Sequence, residues 1–251
     1  MRIYLLVIVP NLGYYCGMLI IGHRGAAGAS PENSLKALED GVAMGADMLE
    51  FDVQITRDKI PIVIHDSTLL RTHRKAHIVK WSTHASIIEA TEKGHKIATL
   101  EEVLDKFFGK VLLNLEFKSR GSASIATKLL KERYIKQPDD WQNVLLSSFK
   151  PSELLVARKI SPEAEISMLH YRNPFTFIAY QRRLDLAAVG FHRLYINPLA
   201  LEVAKQLGLF TYVYTVNRPA ALEPLTKKSI DGIVTDHPKD MRSHFENLRV
   251  V

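Results

Sequence analysis

Three widely separated stretches of the chain place charged side chains at the ends of apolar runs. They are His23-Arg24-Gly25 after Met18–Gly22, Glu50-Phe51-Asp52 after Ala46–Leu49, and Asn114-Leu115-Glu116-Phe117-Lys118 after Val111–Leu113. Residues i and i+2 of a strand project to one face. Glu50 therefore points with Asp52, and Glu116 with Lys118. Polar groups are costly in a strand core without partners, so this set reads as a site. Glu50, Asp52 and Glu116 make an all-oxygen donor set of the kind that Mg²⁺ or Ca²⁺ takes, with water in the remaining positions. The alternative is that they only neutralise Arg24 and Lys118. Three acids against two bases leave an excess of negative charge, and burying that without a cation is expensive. His23 and His65 both end apolar, β-branched runs. Imidazole titrates near neutral pH, which suits a proton acceptor and donor pair. Arg24, through its planar fork, and Lys118, as a point charge, suit phosphate oxygens. Asp66 adjoins His65, and strand alternation turns it away, toward capping the turn at Ser67-Thr68.

Strand-like runs that alternate with helical patterns must position these groups. The strands are expected at Met18–His23, Asp47–Gln54, Val111–Phe117, Val144–Ser148, Glu165–Leu169, Leu186–Gly190, Phe210–Thr215 and Gly232–Thr235. Helices are expected at Asn33–Met44, Leu100–Phe108, Ser124–Glu132, Pro151–Lys159, Pro174–Leu184, Pro198–Leu207 and Pro219–Lys227. Eight strands in 251 residues fit an α/β fold, a (β/α)8 TIM barrel. One run, Ile60–His65, follows the second strand too closely for a parallel crossover. It is expected to return as an antiparallel hairpin through Thr56–Lys59, with the donor-free Pro61 on an edge. The hairpin would stand over the C-terminal face of the barrel and bring His65 back beside Asp52. His23, Glu50, Asp52, Glu116 and Lys118 all fall at C-terminal strand ends, where such barrels carry their sites. Ser147, His170, Asn217 and Asp236 do so more loosely.

The net charge is +6 and the pI about 9.3, which fits a solvated basic surface or attraction of anionic substrates. No basic run is interleaved with aromatics, which argues against nucleic acid. Cys16 is the single cysteine, so neither an internal disulfide nor a multi-thiolate metal site can form. Residues 1–17 read as an apolar extension preceding one domain at 18–251. Pro10 and Asn11 interrupt the run, and Met18–Gly22 is needed as a strand, which leaves too little for a spanning helix. The reading preferred here is an over-long frame with the start at Met18; a signal or an anchor are the alternatives. A cytoplasmic location follows from the first, and membrane association would arise only through residues 1–17.

The order and spacing of several motifs resemble the glycerophosphodiester phosphodiesterase family. They are His23-Arg24-Gly25, Pro31-Glu32-Asn33-Ser34, Gly45-Ala46-Asp47, Glu50–Gln54, His65-Asp66, Leu100–Leu104, Asn114–Lys118, Thr215-Val216-Asn217 and Asp231–Asp236. The resemblance implies a barrel of the phosphatidylinositol-phospholipase-C type. It implies hydrolysis of glycerophosphodiesters, small-molecule substrates, to an alcohol and sn-glycerol 3-phosphate. It implies one divalent metal ion (Mg²⁺ or Ca²⁺, with Mn²⁺ as a further candidate) at Glu50, Asp52 and Glu116, and His23 and His65 as acid and base. Arg24, Lys118 and Tyr214 are then expected to bind substrate. Tyr214 stands where the family commonly has Trp, Leu69–Lys75 lacks the usual glycine, and Ala98 replaces a proline. The stretch from Thr68 to Lys96 is too short for the small inserted domain of some members. The rival readings are a phospholipase D-like or lysophospholipid phosphodiesterase on the same barrel, a non-catalytic phosphoglycerol-binding protein, and an unrelated sugar-phosphate barrel enzyme.

Overall fold

Hydrogen-bond register closes the chain into a barrel. In the computed structural model, which describes residues 17–91 and 95–249 together with the paired segments Ile8–Val9 and Gly13–Tyr14, eight parallel strands form the ring. They are β1 (Leu19–Gly22), β2 (Met48–Ile55), β4 (Leu112–Phe117), β5 (Val144–Ser148), β6 (Glu165–His170), β7 (Ala188–His192), β8 (Phe210–Tyr214) and β9 (Gly232–Thr235). The first strand pairs with both the second and the last, Ile21 opposite Met48 and Ile20 opposite Ile233. The remaining strand, β3 (Pro61–Val63), is appended to β2 in antiparallel register, Val53 opposite Val63 and Ile55 opposite Pro61. Pro61 thus sits at the edge of the sheet, where its missing donor costs nothing.

Helices α1 (Leu35–Ala43), α2 (Leu70–His73), α3 (His84–Thr91), α4 (Leu100–Phe107), α5 (Ser122–Leu129), α6 (Pro151–Ile160), α7 (Thr176–Leu184), α8 (Pro198–Gln206), α9 (Leu222–Lys227) and α10 (Pro238–Arg249) complete the chain. Two start signals are explicit. The Ser34 hydroxyl accepts from the Ala37 amide at the head of α1, and Thr99 with Glu102 forms a capping box on α4. Alternation divides the strands. Leu19, Ile21, Met48, Leu112, Phe210 and Tyr212 fill the barrel, while Ile20, Leu49, Phe51, Leu113 and Leu115 pack outward under the helices.

The expected strands and helices are present, with shifts that have local causes. The seventh barrel strand runs Ala188–His192 rather than Leu186–Gly190, because it pairs Ala188 with Phe210 and His192 with Tyr214. It therefore reaches the mouth two residues later. The segment from Thr68 to Lys96 carries α2, a 3₁₀ turn at Val79–Trp81 and α3, which bury Leu69, Val79 and Ile87 against Ile62 and Ile64. The last helix, α10, has no counterpart among the expected elements. The expectations for residues 1–17 fall almost wholly outside the described residues. Among the described residues, no helix is long and apolar enough to cross a membrane.

Asp47 fastens the end of the barrel away from the charged strand ends. Its carboxylate accepts from the Ile20 amide at 2.7 Å and lies 2.5 Å from the Arg242 guanidinium of α10. Burial pushes its pKa up against these partners. Removing a buried acceptor strands both donors, so Asp47→Ala should cost about 3 kcal/mol in chemical denaturation, and Asp47→Asn should recover part of it.

Candidate active site

The loop after β1 sets the geometry of the site. Arg24 and Gly25 both adopt positive φ, 50° and 87°. A Cβ on Gly25 would lie 2.3 Å from the Ala37 carbonyl, so only glycine lets this loop press against α1. The turn aims the Arg24 amide at Glu50 Oε2, 2.9 Å away. It also places the guanidinium 2.7 Å from Glu32 Oε1 and 3.2 Å from Asp52 Oδ2. Left-handed backbone is unfavourable for arginine, and these contacts hold it there.

Glu50 and Asp52 project inward from β2 and Glu116 from β4, with Asp52 opposite Glu116 in the ladder. All three are buried, and one carboxylate oxygen of each lies within 4.8 Å of the others. Lys118 Nζ sits 2.6 Å from Glu116 Oε1 and 3.1 Å from Asp52 Oδ1. Asn33, at φ 60°, clamps Asp52 from both sides. Its Nδ2 donates to Asp52 Oδ2 at 2.8 Å, and its Oδ1 accepts from the Asp52 amide at 3.1 Å. Burial would raise the Asp52 pKa, but Lys118 and Arg24 overcome it and lower it to about 2. Burial and the Asp52 charge raise Glu116 to about 8, and the same two causes raise Glu50. Burial and mutual repulsion thus oppose full ionisation of the trio despite Arg24 and Lys118, and a bound cation would relieve both.

Each imidazole is paired through Nδ1 with a carboxylate. His23 Nδ1 lies 2.6 Å from Asp236 Oδ1, and Asn217 donates to the other oxygen of Asp236. His65 Nδ1 lies 2.7 Å from Asp66 Oδ1, while Arg71 donates to Asp66 Oδ2 at 2.6 Å and also bonds Glu32. This arrangement leaves Nε2 of each ring for proton exchange. Burial lowers the His23 pKa, but the Asp236 hydrogen bond and the Glu50 charge outweigh it and leave it above 6.5. For His65 burial wins over Asp52 and Asp66 and holds it below 6.5. The rings flank the acids, His23 interacting with Glu50 and His65 with Asp52.

A cleft of about 310 Å³ opens beside the acids, lined by His23, Glu50, Glu116, Ser147, Phe149 and Tyr214 among others. His65 instead lines a hollow of about 230 Å³ with Glu32, Asn33, His73 and His95. The structure thus brings together His23, Arg24, Glu50, Asp52, Glu116, Lys118 and Tyr214, with His65 next to Asp52. His170 does not join them. One position out of phase with Leu169, it faces outward, edge-on to Phe191 at 4.8 Å, and burial lowers its pKa to about 4. Asp66 also differs from expectation. The strand ends at Val63, so alternation no longer governs residues 65 and 66, and Asp66 turns to His65. Asn33, Phe149 and the orienting roles of Asp66 and Asp236 were not assigned from sequence. Asp236 directly follows β9 at a position in phase with the inward Val234, which is a readable signal; Asn33 offers none.

The family model for the glycerophosphoryl diester phosphodiesterase family matches residues 23–240. The chain belongs to this family. A glycerophosphodiester phosphodiesterase of Caldanaerobacter subterraneus subsp. tengcongensis is 34% identical over 236 residues, covering 89% of this chain and 96% of the relative. A glycerophosphodiester phosphodiesterase of Bacillus subtilis is 28% identical over 246 residues, covering 88% and 84%. Among solved structures, an Oleispira antarctica phosphodiesterase in complex with the product sn-glycerol-3-phosphate superposes with a TM-score of 0.81 at 24% identity, covering 91% of this chain and 96% of the other. A glycerophosphodiester phosphodiesterase from Thermotoga maritima gives 0.78 at 23% identity, covering 91% and 99%. These last two establish the shared fold. Family membership makes this chain an enzyme, a phosphoric diester hydrolase.

The His23–Asp236 pair yields a direct test. Asp236→Asn removes the contribution that raises the His23 pKa and leaves burial to dominate. NMR titration of the ring should then show His23 moving from above 6.5 to below it.

Proposed function

We propose that the chain hydrolyses glycerophosphodiesters to an alcohol and sn-glycerol 3-phosphate with one divalent cation at Glu50, Asp52 and Glu116, and with His23 and His65 as the proton-transfer pair. The observation that carries this reading is the buried acid trio, its donor oxygens within 4.8 Å of one another, flanked by two carboxylate-oriented imidazoles. Proton traffic of this kind serves bond breaking; a phosphoglycerol-binding protein has no use for it.

The donor set fits a hard cation. It is all oxygen, and two of its members are held above the ordinary carboxylate range by burial and mutual repulsion. A divalent ion would hold Glu50 and Glu116 ionised against burial and repulsion, and would add positive charge beside Arg24 and Lys118 for a phosphodiester monoanion. When bound, such an ion supplies polarisation of phosphoryl oxygens and a lowered pKa for a coordinated hydroxyl or water.

The residues of the chain do the rest. His65, the less basic ring, takes the proton of the substrate's own glycerol hydroxyl. That oxygen attacks phosphorus, the bond to the leaving alcohol breaks, and His23 gives the departing alkoxide its proton. The resulting cyclic phosphate is opened by water as the roles reverse. His23 takes the water proton and His65 returns its own to the glycerol oxygen, so that one water is consumed overall. Arg24 and Lys118, already held by carboxylates, present their remaining N–H groups to the phosphoryl oxygens without reorganising. Phe149 and Tyr214, edge to face at 5.8 Å, wall the cleft where the glycerol carbons would lie.

His23→Ala and His65→Ala should each reduce turnover of glycerophosphocholine by about 10²–10⁴-fold, with unchanged thermal unfolding. Excess chelator should abolish activity, and a panel of Mg²⁺, Mn²⁺ and Ca²⁺ should restore it; full activity in chelator would refute the cation.

The pH profile has a determined shape. His65 must be neutral, so activity rises as pH increases through a value below 6.5. His23 must be protonated, so activity falls as pH passes a value above 6.5. His65→Ala should remove the acid limb alone, and a profile in which it removes the alkaline limb would reverse the assignment.

A further inference from the structure

The inward row of β2 does not end at the acids. Glu50, Asp52 and Gln54 recur at every second residue and are in phase on one face. Gln54 is buried, at 5% exposure, and no step of the proposed reaction uses it. Burying a primary amide is costly unless its polar atoms find partners. Its Nε2 donates to the backbone carbonyl of His65 at 2.8 Å.

That contact is where the barrel takes hold of the arm formed by β3 and the loop after it. The ladder between β2 and β3 makes its last bond from the Ile64 amide to the Asp52 carbonyl, at 2.9 Å. Among the described residues, backbone pairing along the arm resumes at Ser67, whose carbonyl accepts from the Val79 amide at 2.9 Å. His65 and Asp66 span the gap. Asp66 orients the imidazole, but both residues ride on one stretch of backbone. Their hydrogen bond therefore sets the ring relative to the arm and not relative to the acids. Two side chains connect this stretch to the site. Arg71 joins Asp66 to Glu32, but its side chain is 51% exposed and itself belongs to the arm. Exposed ion pairs of this kind contribute little. Gln54 is buried and rooted in the strand that carries two of the three acids.

We infer that Gln54 is a positioning residue for the proposed proton acceptor: by holding the His65 carbonyl, it sets the distance from the imidazole to a phosphodiester bound over Glu50 and Asp52. This role presupposes the reaction proposed above and adds a residue to it. One strand then carries, at successive inward positions, two of the proposed cation ligands and the tie to the base. Base and cation keep their spacing because they share β2. Such spacing matters, since a misplacement of about 1 Å costs about 10²-fold in rate.

Gln54→Met keeps the length and bulk of the side chain and removes the donor. With glycerophosphocholine and Mn²⁺, kcat should fall about 10–100-fold at unchanged KM. Unfolding should stay cooperative, and Mn²⁺ affinity, measured by direct titration, should equal that of the parent. The double variant separates positioning from a structural role. In His65→Ala the ring that Gln54 positions is gone, so adding Gln54→Met should cause no further loss. Gln54→Asn, which withdraws the donor and keeps the amide, is read in the same way should the methionine variant fail to fold. Full activity of Gln54→Met overturns the inference and leaves the reaction standing. So does a loss that repeats in full in the His65→Ala background, or one accompanied by weaker Mn²⁺ binding, since Gln54 would then act on the fold or on the acids. Full turnover by His65→Ala refutes the proposed base itself, and the inference with it.

Discussion

Surplus negative charge inside a closed sheet is the constraint around which this molecule is organised. A barrel interior has no room for loose counter-ions, so Glu50, Asp52 and Glu116 must be answered by groups that the fold itself delivers. Arg24 arrives on a left-handed turn made feasible by the glycine after it, and Lys118 rises one step beyond Glu116 on the same strand face. Asn33 fixes the orientation of Asp52 with a donor and an acceptor at once. Arg24 and Lys118 both reach Asp52, Lys118 also pairs with Glu116, and burial and repulsion hold Glu50 and Glu116 above the ordinary carboxylate range. That imbalance separates a binding site from a structural ion-pair network, in which pairing would be complete.

The proposed proton-transfer pair is built onto the same frame by repetition. Each histidine is oriented by one carboxylate, and each of those carboxylates is held by a further donor, Asn217 for Asp236 and Arg71 for Asp66. Although the two arrangements are alike, the rings differ in basicity because their surroundings differ. His23 is deeply set beside Glu50, whereas His65 gains less from its acids than burial takes away. Opposed shifts in two like groups are what divide donor from acceptor in general acid–base catalysis.

How much of this the sequence discloses depends on whether a position obeys a period. The acids and Lys118 were legible because side chains alternate along a strand and because polar groups after apolar runs mark strand ends. The antiparallel return of Pro61–Val63 was legible from the shortness of its connection. What escaped lies where periodicity stops. Asp66 follows a strand that has already ended, so alternation gave the wrong direction. His170 sits at a strand end but on the outer face, and only the phase against Leu169 and Tyr171 tells. Asn33 reaches Asp52 through a turn at positive φ that has no local signature. The limits of β7 were set by a neighbour in space, β8, and not by its own residues. The aromatic contacts among residues 149, 171, 192 and 214 arise from four different strand ends and exist only after closure.

One architectural asymmetry remains. His23 and all three acids stand on or directly beside strands of the closed ring, where any displacement must disturb two neighbours. His65 follows a three-residue strand that pairs with β2 on one edge and with Ala98 and Thr99, just before α4, on the other. Opening those short seams leaves the ring intact, so the proposed proton acceptor stands on a smaller, separately paired unit than the proposed cation site. On these proposed roles, cation binding and proton transfer are separable properties of this protein, and displacement of the arm would idle the second without unfolding the barrel.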